Sequence, residues 1–263
     1  MPNLHQCLTW KDNHDWGGKV DTPDGPYYHH KHGSKVLGVA HLDTVMSARP
    51  IKDGKFVCCP QLDDRLGVYC LLDWLPRMGI QLDVLLTTGE EHCRSTAAHF
   101  QGEYNWIAEF DRAGNDVVFY QYHDDFAPWW SGRIGHGSYS DIVDMEALGV
   151  CAVNIGIGYQ FQHTMECYAD LRETEKQLKR FGKFFDRYCE TRFPFTPPVY
   201  VDDWKPRRKH KRKHKRALVE LPPRSESGHW WNERDEFEYD PWRKSNEEWQ
   251  NWDELAKLHN EFN

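Results

Sequence analysis

KVLGVAHLDTV (35–45) is a short apolar run that breaks off in polar residues. That pattern predicts a buried parallel strand whose carboxyl end, at His41, faces a site. Working outward, RLGVYCLLDWLPRMG (65–79) has apolar residues at helical spacing and stops at Gly79. LDVLLTT (82–88) reads as a second strand and STAAHFQ (95–101) as a helix. Strands follow near 105–110 and 116–122, then a helix at 140–149, a strand at 150–156 and a long helix within 169–193. Strands alternating with helices predict an α/β fold in three layers, a mostly parallel twisted sheet with helices on both faces. Such sheets bind ligands beyond the carboxyl ends of their strands.

Several segments deliver chemistry to that edge. His41 ends one strand, Glu90 and Glu91 (GEE, 89–91) follow another, Asp111 (EFDRAG, 109–114) ends a third, and His163 (QHTMEC, 162–167) lies in the loop after a fourth. LDDRLG (62–67) adds Asp63 and Asp64. Two imidazoles and several carboxylates form a ligand set for two zinc ions that share a bridging carboxylate. Asp63 is the candidate bridge, Asp64 the alternative, and Glu91 and Asp111 would each complete one ion. Asp43, two residues past His41, is close enough to accept the imidazole's second N–H. Adjacent carboxylates at the end of a buried strand repel each other and are costly to desolvate unless a cation neutralises one of them. An ion on Glu91 leaves Glu90 to accept a proton.

In this order the five motifs resemble the co-catalytic zinc exopeptidase superfamily of aminopeptidases, carboxypeptidases and N-acyl amino acid deacylases, over about residues 35–190. The resemblance implies one zinc on His41, Asp63 and Asp111, a second on Asp63, Glu91 and His163, Glu90 as general base, and Asp43 orienting His41. It favours Asp63 over Asp64 because in many relatives the bridging Asp lies four residues before a glycine, here Gly67. Cobalt or manganese would suit the same ligands. His136, Tyr139 and Tyr159 are candidates to contact an oxyanion or the substrate. The chain departs from many relatives at His92-Cys93-Arg94, where they carry glycine. Only 51 residues separate Asp111 from His163, too few for an inserted lid and dimerisation domain, so a lidless form is expected. The implied reaction is aminopeptidase-like hydrolysis of a peptide or amide bond near a chain end of a small peptide. Hydrolysis of N-acyl amino acids or other small amides is the alternative, and a non-catalytic zinc-binding scaffold for the tail is a second.

A chain of 263 residues is long enough for a full core, yet its hydrophobic fraction is a low 39%, and the shortfall lies after about residue 195. The expected organisation is an irregular lead-in at 1–34, with HHKH (29–32) as a solvated loop, then a catalytic domain at 35–193. A Pro-rich and basic linker at 194–217 and an acidic Trp-rich tail at 218–263 would follow. In the tail Ser245-Asn-Glu-Glu248 has the form of a capping box and predicts a short helix at about 246–260. The net charge of −8 excludes nucleic-acid binding by bulk electrostatics. Nine of the twelve residues from Lys205 to Arg216 are nevertheless Lys or Arg, and only this run offers nucleic acid a phosphate contact. No apolar run approaches the ~20 residues that span a bilayer, and the N-terminus lacks a basic region followed by an apolar one, so a soluble cytoplasmic protein without membrane partners is expected. Eight cysteines without a C-x-x-C pair fit a reducing compartment. Oligomeric state does not follow from the sequence.

Overall fold

The structure is a computed structural model that describes residues 2–11, 14–122, 126, 133–137 and 139–196. All of them belong to one compact unit. The basic run, the acidic tail and the helix expected at 246–260 lie outside the described residues.

Seven strands form the main sheet: β1 (Lys19–Thr22), β2 (Gly25–His30), β3 (Val36–His41), β6 (Asp83–Thr87), β7 (Trp106–Arg112), β8 (Val117–Phe119) and β9 (Ala152–Gly156). Their spatial order is β1-β2-β6-β3-β7-β9-β8. The central four, β6-β3-β7-β9, are parallel, and β1, β2 and β8 add antiparallel edges. A smaller antiparallel sheet, in the order β10-β11-β5-β4, joins β4 (Ile51–Asp53), β5 (Phe56–Cys58), β10 (Tyr159–Gln160) and β11 (Tyr168–Asp170). Every residue of β3 is buried, as a central strand covered on both faces requires.

Alternate residues of the sheet feed two cores. Val36, Ala40, Trp106, Ala108, Phe110 and Val153 pack with α1 (Leu4–Thr9), α2 (Leu62–Tyr69) and α4 (Leu171–Tyr188). In α4 the buried Thr174, Leu178, Phe181 and Phe184 recur at helical spacing, and Asp170 caps its start by accepting the Arg172 N–H. Between α2 and the short α3 (Leu75–Arg77) the helix widens into a π turn at Cys70–Trp74, so the expected helix at 65–79 is one rod of mixed winding. Leu37, Val39, Leu85 and Ile107 pack on the opposite face against Ala97, Ile142 and Met145.

That second face departs from expectation. Its cover is two 3₁₀ segments, Thr96–His99 and Asp141–Leu148, where the apolar spacing predicts α-helices. Side chains capture N–H groups at each start, since Ser95 Oγ accepts from Ala97 and Glu109 from Asp141. The lead-in also departs from expectation. It folds as α1 and the β1–β2 hairpin, and HHKH contributes His29 and His30 to β2, paired with β6, instead of forming a solvated loop. The hairpin turns at Thr22-Pro-Asp-Gly25, where Thr22 Oγ1 donates to the Gly25 carbonyl and accepts from the Asp24 N–H. No helix among the described residues is long and apolar enough to cross a membrane.

Candidate metal centre

His41 is the last residue of β3 and is fully buried. Its Nε2 faces three carboxylates, Asp63 Oδ1 at 3.4 Å, Asp111 Oδ1 at 3.6 Å and Glu90 Oε2 at 3.7 Å. His163, on the loop between β10 and β11, faces two, with Glu91 Oε2 at 2.9 Å and Asp63 Oδ2 at 3.0 Å. Asp63 thus turns one oxygen toward each histidine. Burial opposes its charge, but hydrogen bonds from His163 and His41 hold its carboxyl below the usual range.

Two atoms test whether the site fits a metal. His41 Nε2 and Glu91 Oε1 are buried without a hydrogen-bond partner. A buried polar atom left unpaired is destabilising by about 1–3 kcal/mol, and a cation is the partner that suits a neutral imidazole nitrogen and a carboxylate oxygen alike. The ligand atoms of His41, Asp63 and Glu91 lie within 4.8 Å of one another, as do those of His41, Glu90 and Asp111. The donor set of imidazole and carboxylate suits zinc and its first-row neighbours.

The backbone explains how these side chains converge. Thr87, the end of β6, pairs in register with His41, so the turn carrying Glu90 and Glu91 leaves the sheet beside the histidine. Gly89 takes a left-handed φ of 85° there, which favours glycine. Asp43 ties that turn down, its carboxylate accepting the N–H of Gly89 at 2.9 Å and of Glu91 at 3.2 Å. The acceptor for His41 Nδ1 is the Asp43 backbone carbonyl at 2.9 Å, with the carboxylate farther off at 3.7 Å. Asp43 therefore serves the histidine through its main chain and the glutamate pair through its side chain.

Asp63 and Asp64 open α2 with non-helical backbone and a cis peptide between them. Asp64 faces inward, accepting the N–H groups of His41 at 3.3 Å and Gly67 at 3.2 Å. Burial, then the nearby Asp111, holds its carboxyl well above the usual range. At Gly67 α2 lies tight against β7, since a Cβ there would lie 2.4 Å from the Phe110 carbonyl oxygen and 2.5 Å from Asp64 Oδ1.

The three proposed substrate contacts are placed differently. Tyr159 is buried, and its hydroxyl lies 3.0 Å from Asp111 Oδ1 and 3.3 Å from Asp63 Oδ1, so it holds the carboxylates. The Tyr139 hydroxyl donates to Asp144 at 2.5 Å and accepts the Ser95 N–H, while His136 is exposed. Burial pushes Glu90 up to about 8 and Glu91 up to about 7, with neighbouring carboxylates reinforcing both. The hydrogen bond to Asp63 pushes His163 up to about 9.

Against solved structures, a tripeptidase from Staphylococcus aureus aligns with a TM-score of 0.52 at 10% identity, over 66% of this chain and 89% of that one. The chain shares the fold of that tripeptidase. An aminopeptidase from Bacillus cereus aligns at 11% identity over 59% of this chain and 82% of its own, with a TM-score of 0.42. A peptidase from Pyrococcus horikoshii aligns at 14% identity over 66% and 90%, with a TM-score of 0.44. No family model and no curated protein matches the sequence.

Sequence reasoning missed a buried layer of side chains around this centre. Arg65, 1% exposed, donates to the carbonyls of Leu42, Cys7 and Trp10, joining α1 to the residue after His41. Glu109, Ser140, Asp141 and Thr87 form a buried chain of hydrogen bonds, with Ser140 donating to Glu109 and Thr87 donating to Asp141 at 2.5 Å. Burial raises Glu109 well above the usual carboxylate range and Asp141 to about 6. Adjacent polar residues at strand ends, Glu109 before Asp111 and Thr87 before the glutamates, were the available signal for that chain. A buried arginine that bonds carbonyls far away in sequence leaves no local pattern.

Proposed function

We propose that the chain is a dizinc hydrolase of exopeptidase type that cleaves a peptide or amide bond near a chain end, with aminopeptidase-like action on small peptides. One observation carries the reading: Asp63 presents its two oxygens to two different histidines, 3.4 Å from His41 and 3.0 Å from His163. A surface acid pairing with one base has no need of that arrangement. His41, Asp63 and Asp111 would hold one ion, and Asp63, Glu91 and His163 the other. Bound there, the pair supplies Lewis-acid polarisation of the scissile carbonyl and a water acidified toward neutrality.

The chain's own residues do the rest. Glu90 stands beside His41, its Oε2 3.7 Å from the imidazole Nε2, placed to take a proton from the attacking water and return it to the leaving amine. Asp43 holds the backbone on which Glu90 rides, and Tyr159 holds Asp111. His163 keeps 52% of its side chain exposed while His41 is fully buried, so substrate approaches from the His163 side.

The test is metal analysis of the purified full chain, paired with a panel of free-amine peptides, carboxypeptidase substrates and N-acyl amino acids. Two zinc ions per chain and zinc-dependent release of an N-terminal residue are expected. Fewer than two ions, or two ions with no turnover anywhere on the panel, would overturn the reading. Turnover confined to N-acyl substrates would replace the aminopeptidase with a deacylase.

A further inference from the structure

β7 carries one residue more than β9 between paired positions. Glu109 pairs with Asn154, and the next pair is Arg112 with Gly156. Such a bulge leaves its extra residue without ladder partners and re-aims the strand end. Asp111 lies in this bulge, and its N–H and C=O need substitutes because buried backbone groups are costly to leave unpaired. The Asn154 side chain supplies both. Its Oδ1 accepts the Asp111 N–H at 3.2 Å, and its Nδ2 donates to the Asp111 carbonyl at 2.8 Å. Nδ2 also donates to Ser140 Oγ at 3.2 Å, which ties the amide into the chain running through Glu109, Asp141 and Thr87. Asn154 is 4% exposed, so bulk water does not compete for these bonds.

We propose that Asn154 is a positioning residue for the metal centre: its side-chain amide replaces the strand partner that Asp111 lacks and fixes how the Asp111 carboxylate meets His41. The inference rests on the two-ion reading above. A primary amide is the side-chain counterpart of a peptide group, with a donor and an acceptor side by side. Aspartate offers no donor, and alanine offers neither. The Tyr159 hydroxyl bonds Asp111 Oδ1 at 3.0 Å, so the backbone of this ligand is held by Asn154 and its carboxylate by Tyr159. The second ion's ligands, Asp63, Glu91 and His163, make no hydrogen bond to Asn154, which makes the effect selective.

The test is stepwise zinc titration of the metal-stripped full chain against a chromophoric chelator, for wild type, Asn154→Ala and Asn154→Asp. Cobalt absorption at one and two equivalents reports which site fills. Wild type should show two binding constants. In both variants the constant for the ion on Asp111 should weaken by roughly 10–100-fold, as expected when support behind a ligand is lost, while the other holds. Asn154→Asp keeps the side-chain volume and serves as the reading if Asn154→Ala does not fold. Two constants that stay unchanged, or that fall by the same factor, overturn the proposal. Fewer than two ions in wild type sinks the two-ion reading and this inference with it.

Discussion

Asp63 stands between His41 and His163 with Oδ1 3.4 Å from the first and Oδ2 3.0 Å from the second. A side chain that serves two partners cannot be lost to one of them alone. Asp63→Asn should therefore leave the purified chain nearly free of both ions, whereas His163→Ala should keep the ion nearer His41. Elemental analysis after gel filtration distinguishes the outcomes, and full metal retention by Asp63→Asn would refute the shared-ligand assignment.

Glu90 is almost as near His41 as Asp111 is, at 3.7 Å against 3.6 Å, so proximity alone does not separate base from ligand. Glu90→Gln keeps the shape and removes the proton acceptor. Turnover should fall by roughly 10²–10⁴-fold, the typical share of general-base catalysis, with metal content unchanged. Loss of one ion in this variant would recast Glu90 as a ligand.

The raised carboxyls set a pH dependence for the metal-stripped chain. A carboxyl whose folded pKa exceeds its unfolded value binds protons more tightly when folded, so its contribution is full at low pH and is lost as pH rises through the folded value. Burial places Glu90 at about 8 and Glu91 at about 7, and the pairing with Asp63 raises His163 to about 9, which has the same sign. Urea midpoints of the stripped chain should fall between about pH 5 and pH 9, and saturating zinc should remove most of the slope, since bound ligands must be deprotonated. A stripped chain that gains stability across this window would contradict the assignment.

Gly67→Ala would drive a Cβ to 2.4 Å from the Phe110 carbonyl oxygen and 2.5 Å from Asp64 Oδ1. The carbonyl belongs to a central strand and cannot rotate away, so overpacking should cost about 1–3 kcal/mol. Because Asp64 also accepts the His41 N–H, zinc affinity should fall along with the melting temperature. Thermal melts with and without zinc measure both effects, and an unchanged melting temperature would show that the helix shifts freely.

Legibility followed the range of the interactions. The strand ending at His41 and the long helix of Leu171–Tyr188 were readable because burial on both faces, or on one face, prints a local period. His41, the glutamate pair and Asp111 were readable because each sits at or just past the carboxyl end of a parallel strand, whereas Asp63 opens α2 and His163 lies on the loop between β10 and β11. The β1–β2 hairpin was missed although Thr22-Pro-Asp-Gly25 is a turn signal, because its flanking strands mix His, Asp and Pro with few apolar residues. The 3₁₀ winding at Asp141–Leu148 depends on Glu109 taking an N–H at its start, an interaction 32 residues away in sequence. Asn154 and the bulge at Asp111 were hidden for a similar reason, since the extra residue is defined only by the neighbouring strand.

The Arg65 bonds to Cys7 and Trp10 imply an order of events during synthesis. The first helix, six residues long, is far too short to persist alone in water. The guanidinium that holds its carbonyls is made more than fifty residues after it. During synthesis residues 4–9 must therefore wait as loose chain until the segment bearing Asp63 and Arg65 arrives to hold them.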